Sequence, residues 1–403
     1  MTDHPRYKWY MLTLTALTGA IALAAPSMSL SVLFNEIAAD LNLNLVQIGL
    51  VWSIASLPAM VVCLLAGAIN DRFGPKRVML TSAFLITLAG ASRGLATNFS
   101  TLLLAVIFFG FLGPLISTSA LKITGMWFPR HQLGLANGFF TMGMAMGFFV
   151  SSLISASVLS VWLDGWRNVL FFYGVLAFLI CIPWIFTRPA PSVAGEDQPA
   201  MMTIPMRQAL AHVMKIKNIW LLGLTLMFVG GSMQALNGYV PLYLRGQGWN
   251  GSQADGALAL FHAMSMLCVI PITLWSDRLK SRKNLLVGMV LIAILGVSFL
   301  RVATGPLVWA AIILTGMVRD ASMALVFAMT IETEGVGPLY AGSATGMVIL
   351  FLNLGGLLAS PLGNRLAESA PRLPFVFWAG LTALGLASLL FIPAYKRKVS
   401  FSD

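Results

Sequence analysis

The sequence predicts an all-α membrane protein of twelve transmembrane helices in two six-helix bundles related by a pseudo-two-fold axis. Three observations lead there. The 403-residue chain is 58% hydrophobic and 10% charged, with a mean hydropathy of +0.85, so no compact shape in water would hide its apolar surface. Its apolar residues fall into twelve runs, each near the ~20 residues that cross a bilayer as a helix. Short motifs in the first half also recur in the second.

The runs cover Trp9 to Phe34, Val46 to Asn70, Val78 to Leu95, Leu102 to Trp127, Gly134 to Ser160 and Asn168 to Thr187. After a gap come Asn218 to Leu244, Gln253 to Trp275, Asn284 to Val302, Leu307 to Ile331, Gly342 to Leu366 and Pro374 to Tyr395. Helices satisfy their own backbone in lipid, so no strand pairing is needed. The division is therefore a first bundle at 1–187, a linker at 188–217 and a second bundle at 218–403. The linker carries Pro189, Pro191, Gly195 and Pro199, then an amphipathic piece around Met206 to Met214.

The net charge of +11 is spread over short loop clusters rather than one basic stripe, which points to membrane topology and away from nucleic acid. Arg6, Lys8, Arg72, Lys76, Arg77, Arg130, Arg188, Arg207, Lys215, Lys217, Arg278, Lys280, Arg282, Lys283, Lys396, Arg397 and Lys398 fall on one side of the alternation. The other side keeps Arg167, Arg245 and Arg372. Both termini are expected in the cytoplasm, since basic loops stay inside. Cys63, Cys181 and Cys268 lie in apolar runs without paired or metal-ligand spacing and read as packing residues. No metal or other cofactor is expected. Met1 to Lys8 lead into a run too long for a signal-peptide core.

The densest knot of charge and glycine is Gly67-Ala-Ile-Asn-Asp71-Arg72-Phe-Gly74-Pro75-Lys76-Arg77, between the second and third runs. Gly67 is expected to admit a neighbouring helix and Gly74-Pro75 to make the turn. A weaker copy, Leu274-Trp-Ser276-Asp277-Arg278-Leu-Lys280-Ser-Arg282-Lys283, aligns Asp71-Arg72 with Asp277-Arg278 and Lys76-Arg77 with Arg282-Lys283. Gly134-Leu-Ala136-Asn137-Gly138 likewise matches Gly342-Ser-Ala344-Thr345-Gly346, and Gly147 falls opposite Gly355. Such a duplication suits transporters with a central site between two bundles. Gly110, Gly113, Gly138, Gly143, Gly147, Gly355 and Gly356 are expected to permit close helix contacts.

The knot resembles the signature loop of the major facilitator superfamily, G-x-x-x-D-R-x-G-R/K-[R/K]. The resemblance spans almost the whole chain. It implies a secondary transporter rather than an enzyme, with helices one, four, seven and ten lining a central cavity. It makes Gly67, Asp71, Arg72, Gly74, Arg77, Asp277 and Arg278 the conformational gating set. Members often carry an acid after the fourth helix, where this chain has Gln132, so Asp71 is expected to face the start of the eleventh helix and its positive dipole end. The fifth helix lacks the Gly-Pro pair of drug antiporters. Gly165-Trp166-Arg167 reads as an interfacial anchor.

A charge at mid-bilayer costs about 2.5 to 3.5 kcal/mol on insertion scales, so ionisable residues inside the runs are the functional candidates. Lys122 in the fourth run and Arg319 in the tenth would face the implied cavity as substrate-binding cations. Asp320 would be the protonatable coupling group. Gln234, Asn237, Tyr239 and Asn353 are candidate polar contacts to substrate, set against the commoner reading that such groups bond backbone across helices. The plain alternative for the charges is that Lys122 snorkels to the interface and that Arg319 and Asp320 neutralise one another. His262 reads as a packing histidine.

Two cations against one carboxylate favour a small organic anion of carboxylate type, moved by alternating access with or without protons. The runner-up is a proton-driven exporter of drugs or metabolites, suited to the Met-rich and aromatic content. A non-transporting membrane sensor or enzyme is the reading from another class, against which no metal-ligand cluster, nucleotide loop or nucleophile-base grouping is seen. The expected setting is the bacterial cytoplasmic (inner) membrane, with a monomer, the lipid bilayer and a small anionic substrate as partners and no nucleic acid. A cysteine placed in the 188–217 linker should react with an impermeant thiol reagent only from the cytoplasmic side. Labelling from outside would reverse the assigned topology.

Overall fold

The computed structural model describes residues 5–129, 132–188, 206–279 and 281–393. Among them are twelve helices long and apolar enough to cross a membrane. They are α1 (Arg6–Leu41), α2 (Leu45–Phe73), α3 (Pro75–Leu95), α4 (Phe99–Trp127), α5 (Leu133–Trp162), α6 (Trp166–Ile185), α7 (Lys217–Gly246), α8 (Gly251–Ser276), α9 (Arg282–Leu300), α10 (Leu307–Glu332), α11 (Leu339–Ala367) and α12 (Leu373–Leu390). A short amphipathic helix, Met206–Val213, precedes α7.

The spans fall on the apolar runs, with α1 the largest departure. It continues past Phe34 for two polar turns because its carboxylates have partners. Glu36 accepts from Ser160 at 2.6 Å, and Asp40 accepts from the Trp166 indole at 3.2 Å and pairs with Arg167. Trp166 is thus buried against Asp40, and the expected interfacial anchor is instead a clamp between α1 and α6. The helix stops where Asn42 enters the left-handed region at φ 52°. Asparagines then start three of the helices that follow, α2, α4 and α8. Asn44 caps α2 through Gln47, Asn98 caps α4 through Thr101, and Asn250 accepts from the Gln253 N–H at the start of α8.

Three local irregularities shape the helices. The proline ring at Pro58 removes a backbone donor, and α2 breaks at Ile54 and Ala55 just before it. Glycine lets α4 meet that break, since a side chain at Gly110 would strike the Ala55 backbone and the Pro58 ring. A π turn at Gly19–Ala24 widens α1, and another at Ser155–Leu159 widens α5.

By contact the chain divides into two compact units, Met1–Glu196 with Gly238–His262, and Asp197–Asn237 with Ala263–Asp403. In the first, α1 and α5 meet along small residues at four-residue spacing: Ala16, Ala20 and Ala24 against Gly143, Gly147 and Ser151. A methyl on Gly147 would lie 2.6 Å from the Ala20 carbonyl oxygen, and Ser151 donates to the Ala25 carbonyl at 2.7 Å. Helix α6 closes on this seam through the Trp184 indole on Thr18 at 2.8 Å and the Tyr173 hydroxyl on Ser155 at 2.8 Å. In the second unit α7 and α11 meet the same way. Gly231 abuts the Gly355 backbone, a methyl there lying 2.6 Å from the Gly355 carbonyl carbon, and Gly355 sits on the Met227 carbonyl.

The glycine expectations hold at Gly110, Gly113, Gly143, Gly147 and Gly355, each of which has a neighbour within the reach of a Cβ. They fail at Gly67 and Gly138, where a Cβ would meet nothing within 4 Å. At Gly74 the expectation is met: φ is 83°, its N–H bonds the Asn70 carbonyl at 2.9 Å, and Pro75 opens α3 directly. Replacing Gly147 by leucine should destabilise the protein by about 1 to 3 kcal/mol through overpacking, whereas Gly138→Ala should leave the melting temperature unchanged. Thermal unfolding of the two purified variants checks the pair, and equal melting temperatures would show that the seam yields.

Candidate functional site

The signature turn and α4 form one polar ladder. Ser119 donates to the Asn70 side chain at 2.7 Å, and one turn on the Lys122 ammonium donates to the Gly67 carbonyl at 2.9 Å and pairs with Asp71. Gly67 is thus met at its carbonyl by Lys122, while its missing side chain admits no neighbouring helix. Asp71, expected to face a helix dipole at α11, has its partner within its own unit on α4. Lys122 is likewise no uncompensated cation. Its side chain is 30% exposed and that of Asp71 76%, so water competes for the pair.

The rest of the gating set surrounds the turn and its copy. Arg72 is exposed and stacks on Phe73 with its guanidinium 5.4 Å from the ring centroid, and Arg77 is exposed at the start of α3. Lys76 reaches from α3 to the Thr187 carbonyl at the end of α6. Lys283 repeats this on α9, donating to the Leu390 carbonyl at 2.9 Å and to the Ile392 carbonyl at the end of α12. Both lysines meet the negative end of the last helix on their side. The structural equivalent of Lys76 is thus Lys283, one residue beyond the alignment with Arg282, which instead pairs with Glu332 at 3.3 Å. Arg278 closes its helix in the open; the Asp277 side chain lies outside the described residues, as do Arg130, Lys280 and linker residues 189–205.

Midway along α10, Arg319 and Asp320 form an ion pair at 3.2 Å, their side chains 18% and 20% exposed. The Asp320 N–H donates to the Ser265 hydroxyl of α8 at 3.1 Å, which fixes this turn against its neighbour. The pair is the one the plain reading of these charges names, and with Asp71 beside Lys122 each of the two cations has a carboxylate, so the expected excess of positive charge is not found. Asn353 donates to the Ile349 carbonyl of its own helix at 3.0 Å, the backbone role weighed against substrate contact. Asn237 and Tyr239 are buried on α7 and Gln234 is half-buried. Tyr239 lies beside Tyr243, ring centroids 6.0 Å apart. His262 is buried and stacks on Phe148 at 5.5 Å, a packing histidine as read. Asn137 accepts from Thr124 at 2.9 Å.

Two buried charges escaped the sequence reading. Arg93, 1% exposed, donates to the Pro26 carbonyl at 3.0 Å and the Gly90 carbonyl at 3.3 Å, with its guanidinium 4.3 Å from the Phe109 centroid. Asp255, fully buried in α8, pairs with Arg245 of α7 at 2.5 Å and meets Ser157 in the π turn of α5. Both lie inside apolar runs, so the rule that singled out Arg319 applies to them equally. Among the described residues no group of His, Cys, Asp and Glu could hold a metal ion.

The family model of the Major Facilitator Superfamily matches residues 15–334. Among curated relatives, a probable L-galactonate transporter of Escherichia coli K12 is 31% identical over 156 residues, 39% of this chain and 34% of its own. A probable sulfoacetate transporter of Cupriavidus necator is 23% identical over 90% of this chain and 89% of its own. The match covers only about a third to a half of the length of the first curated relatives. A nucleoside transporter structure superposes with TM-score 0.77 over 94% of this chain and 99% of that one at 15% identity. A bacterial homologue of the lysosomal transporter Spinster superposes with 0.76 over 97% and 95% at 17% identity. These structures share the fold.

Removing one member of a buried ion pair leaves the other charge stranded, so Asp255→Asn should destabilise the protein by about 3 to 5 kcal/mol. Arg245→Met with Asp255→Met should recover most of that loss. Melting curves of the single and double variants decide, and an unchanged melting temperature in Asp255→Asn would mean the pair carries no net weight.

Proposed function

The chain belongs to the Major Facilitator Superfamily, and from that premise we propose that it is a secondary active transporter moving a small organic anion of carboxylate type by alternating access. The observation that carries the reading is the Arg319–Asp320 pair at the middle of α10. Unlike Arg93 and Asp255, both members of this pair stay partly open, and a guanidinium can clamp a carboxylate through two parallel hydrogen bonds. The names of relatives support the same substrate class: transporters of galactonate, hexuronate, galactarate or glucarate, and sulfoacetate.

In this proposal Arg319 binds the anion and Lys122 assists by exchanging Asp71 for substrate. Gln234, Asn237, Tyr239 and Asn353 offer hydrogen bonds. Asp320 is the proton carrier: when it takes up a proton it releases Arg319, and an arriving carboxylate restores the charge balance. The turn around Gly67, Asp71, Arg72, Gly74 and Arg77, with Asp277 and Arg278 in its copy, serves as the gate. The working arrangement is a monomer of two bundles, 1–187 and 218–403, joined by a cytoplasmic linker at 188–217, with both termini inside a bacterial cytoplasmic membrane.

Arg319→Lys keeps the charge but loses the bidentate clamp, so binding of a sugar-acid probe should fall roughly tenfold while some uptake remains. Arg319→Ala should abolish both. Arg319→Ala with Asp320→Ala should recover folding without recovering binding. Uptake of radiolabelled galactonate, glucuronate and sulfoacetate into proteoliposomes, with binding measured on the purified variants, tests the set. Binding restored in the double variant would make the pair structural and end the anion reading.

A further inference from the structure

The first unit has a groove on its outer surface whose lining the transport reading does not use, though Arg77 near its end belongs to the proposed gate. Helices α3 and α6 part there around about 470 Å³, lined by Thr81, Phe84, Leu85, Phe178, Ile182 and Ile185. The five apolar residues among these are between 38% and 61% exposed, so the groove opens sideways, towards lipid. From Phe178 to Ile185 it runs about 10 Å along the helix, at 1.5 Å per residue.

One end of the groove is basic. Arg77 stands one turn before Thr81, whose hydroxyl donates to the Arg77 carbonyl at 2.9 Å, so residues 77, 81, 84 and 85 form one stripe of α3. The Arg77 side chain is exposed. Just past Ile185, Lys76 of α3 donates to the Thr187 carbonyl, and the next residue, Arg188, is exposed with its guanidinium 5.8 Å from the Tyr7 ring centroid of α1. The sequence places no Asp or Glu between Pro75 and Trp127, or between Gly165 and Arg188. The basic mouth has no carboxylate of its own on either helix that builds the groove.

We propose that this groove binds one anionic phospholipid, its acyl chain between α3 and α6 and its phosphate at Arg77 and Arg188. Arginine matches a phosphate through paired hydrogen bonds, and its apolar stem lies along the helix while its head stays at the interface. A zwitterionic lipid fits the apolar groove equally well but brings its own cation to the same cluster, so the arginines select for net negative charge. The inference rests on the membrane-spanning fold and not on the choice of substrate, so it stands or falls apart from the transport assignment.

Native mass spectrometry of the full chain in detergent, titrated with phosphatidylglycerol or phosphatidylcholine of the same acyl chains, tests it. The wild type should retain phosphatidylglycerol in preference. Arg77→Ala with Arg188→Ala should lose that preference by about tenfold or more, while Arg77→Lys with Arg188→Lys keeps most of it. Thr81→Trp, which leaves the arginines in place and fills the groove, should lower retention of both lipids. Inorganic phosphate should not displace the bound lipid. Equal retention of the two lipids by the wild type, an undiminished preference in the double-alanine variant, or full displacement by phosphate would each overturn the proposal.

Discussion

Backbone touching backbone is the contact on which the rest of this protein is arranged. Between helices in lipid there is no hydrophobic gain from association, because a lipid tail is as apolar as a leucine. Close packing has to supply the attraction, and it is closest where side chains are smallest. Gly147 lies on the Ala20 carbonyl in the first unit and Gly355 on the Met227 carbonyl in the second, at positions that correspond in the internal sequence repeat. Once α1 and α5 are locked, the partners of α6 follow. Trp184 finds Thr18, and Tyr173 finds the Ser155 hydroxyl in the π turn. The π turn in α1 lies on the same seam, where an extra residue per turn keeps its alanine stripe against Gly143 and Gly147.

The second constraint is charge. Each buried ionic group described here has been given a partner suited to its depth. Arg93 has two carbonyls and a ring face, Asp255 has Arg245 and Ser157, and Arg319 has Asp320. Taking such groups out of water costs several kcal/mol per ion after relaxation, so they exist only where geometry compensates. Arg93 and Asp255 are more deeply buried than Arg319, and both join helices: Arg93 ties α3 to α1 and α4, and Asp255 ties α8 to α7 and α5. Their positions mark them as fasteners, in contrast to the partly open pair on α10.

The helices were legible in the sequence because the bilayer converts a length of apolar residues into a span, and little else competes with that rule. The Gly74-Pro75 turn was legible for a similar reason: only a few residues adopt φ near 83° and only one fixes the first helical φ. Pairings across helices were not. Lys122 and Asp71 lie 51 residues apart, and nothing in either local sequence says that their helices bring them together. The close helix approach expected at Gly67 fails because the sequence does not say whether a helix lies over a given glycine, and none lies over this one. Trp166 was misread because indoles suit both a lipid interface and a buried carboxylate partner. The register of the two basic loops shifted by one residue because the lysine that reaches the end of the last helix, and not the order of basic residues, defines equivalence.

The two ion pairs that enter the proposed function differ in exposure. Lys122 and Asp71 sit at 30% and 76% exposure, so water screens their attraction and an exchange of partner costs little. Arg319 and Asp320 sit at 18% and 20%, where a lone charge is expensive. A carboxylate that binds Arg319 while Asp320 stays ionised would add a negative charge to the middle of the membrane. If Asp320 takes up a proton as the anion arrives, the total charge beside α10 is unchanged, with the substrate standing where the Asp320 carboxylate stood. Within the proposed function, anion and proton therefore travel together because either one alone leaves an uncompensated charge at mid-span. Coupling of this proposed kind would need no second site and no long pathway, only one guanidinium shared between two carboxylates.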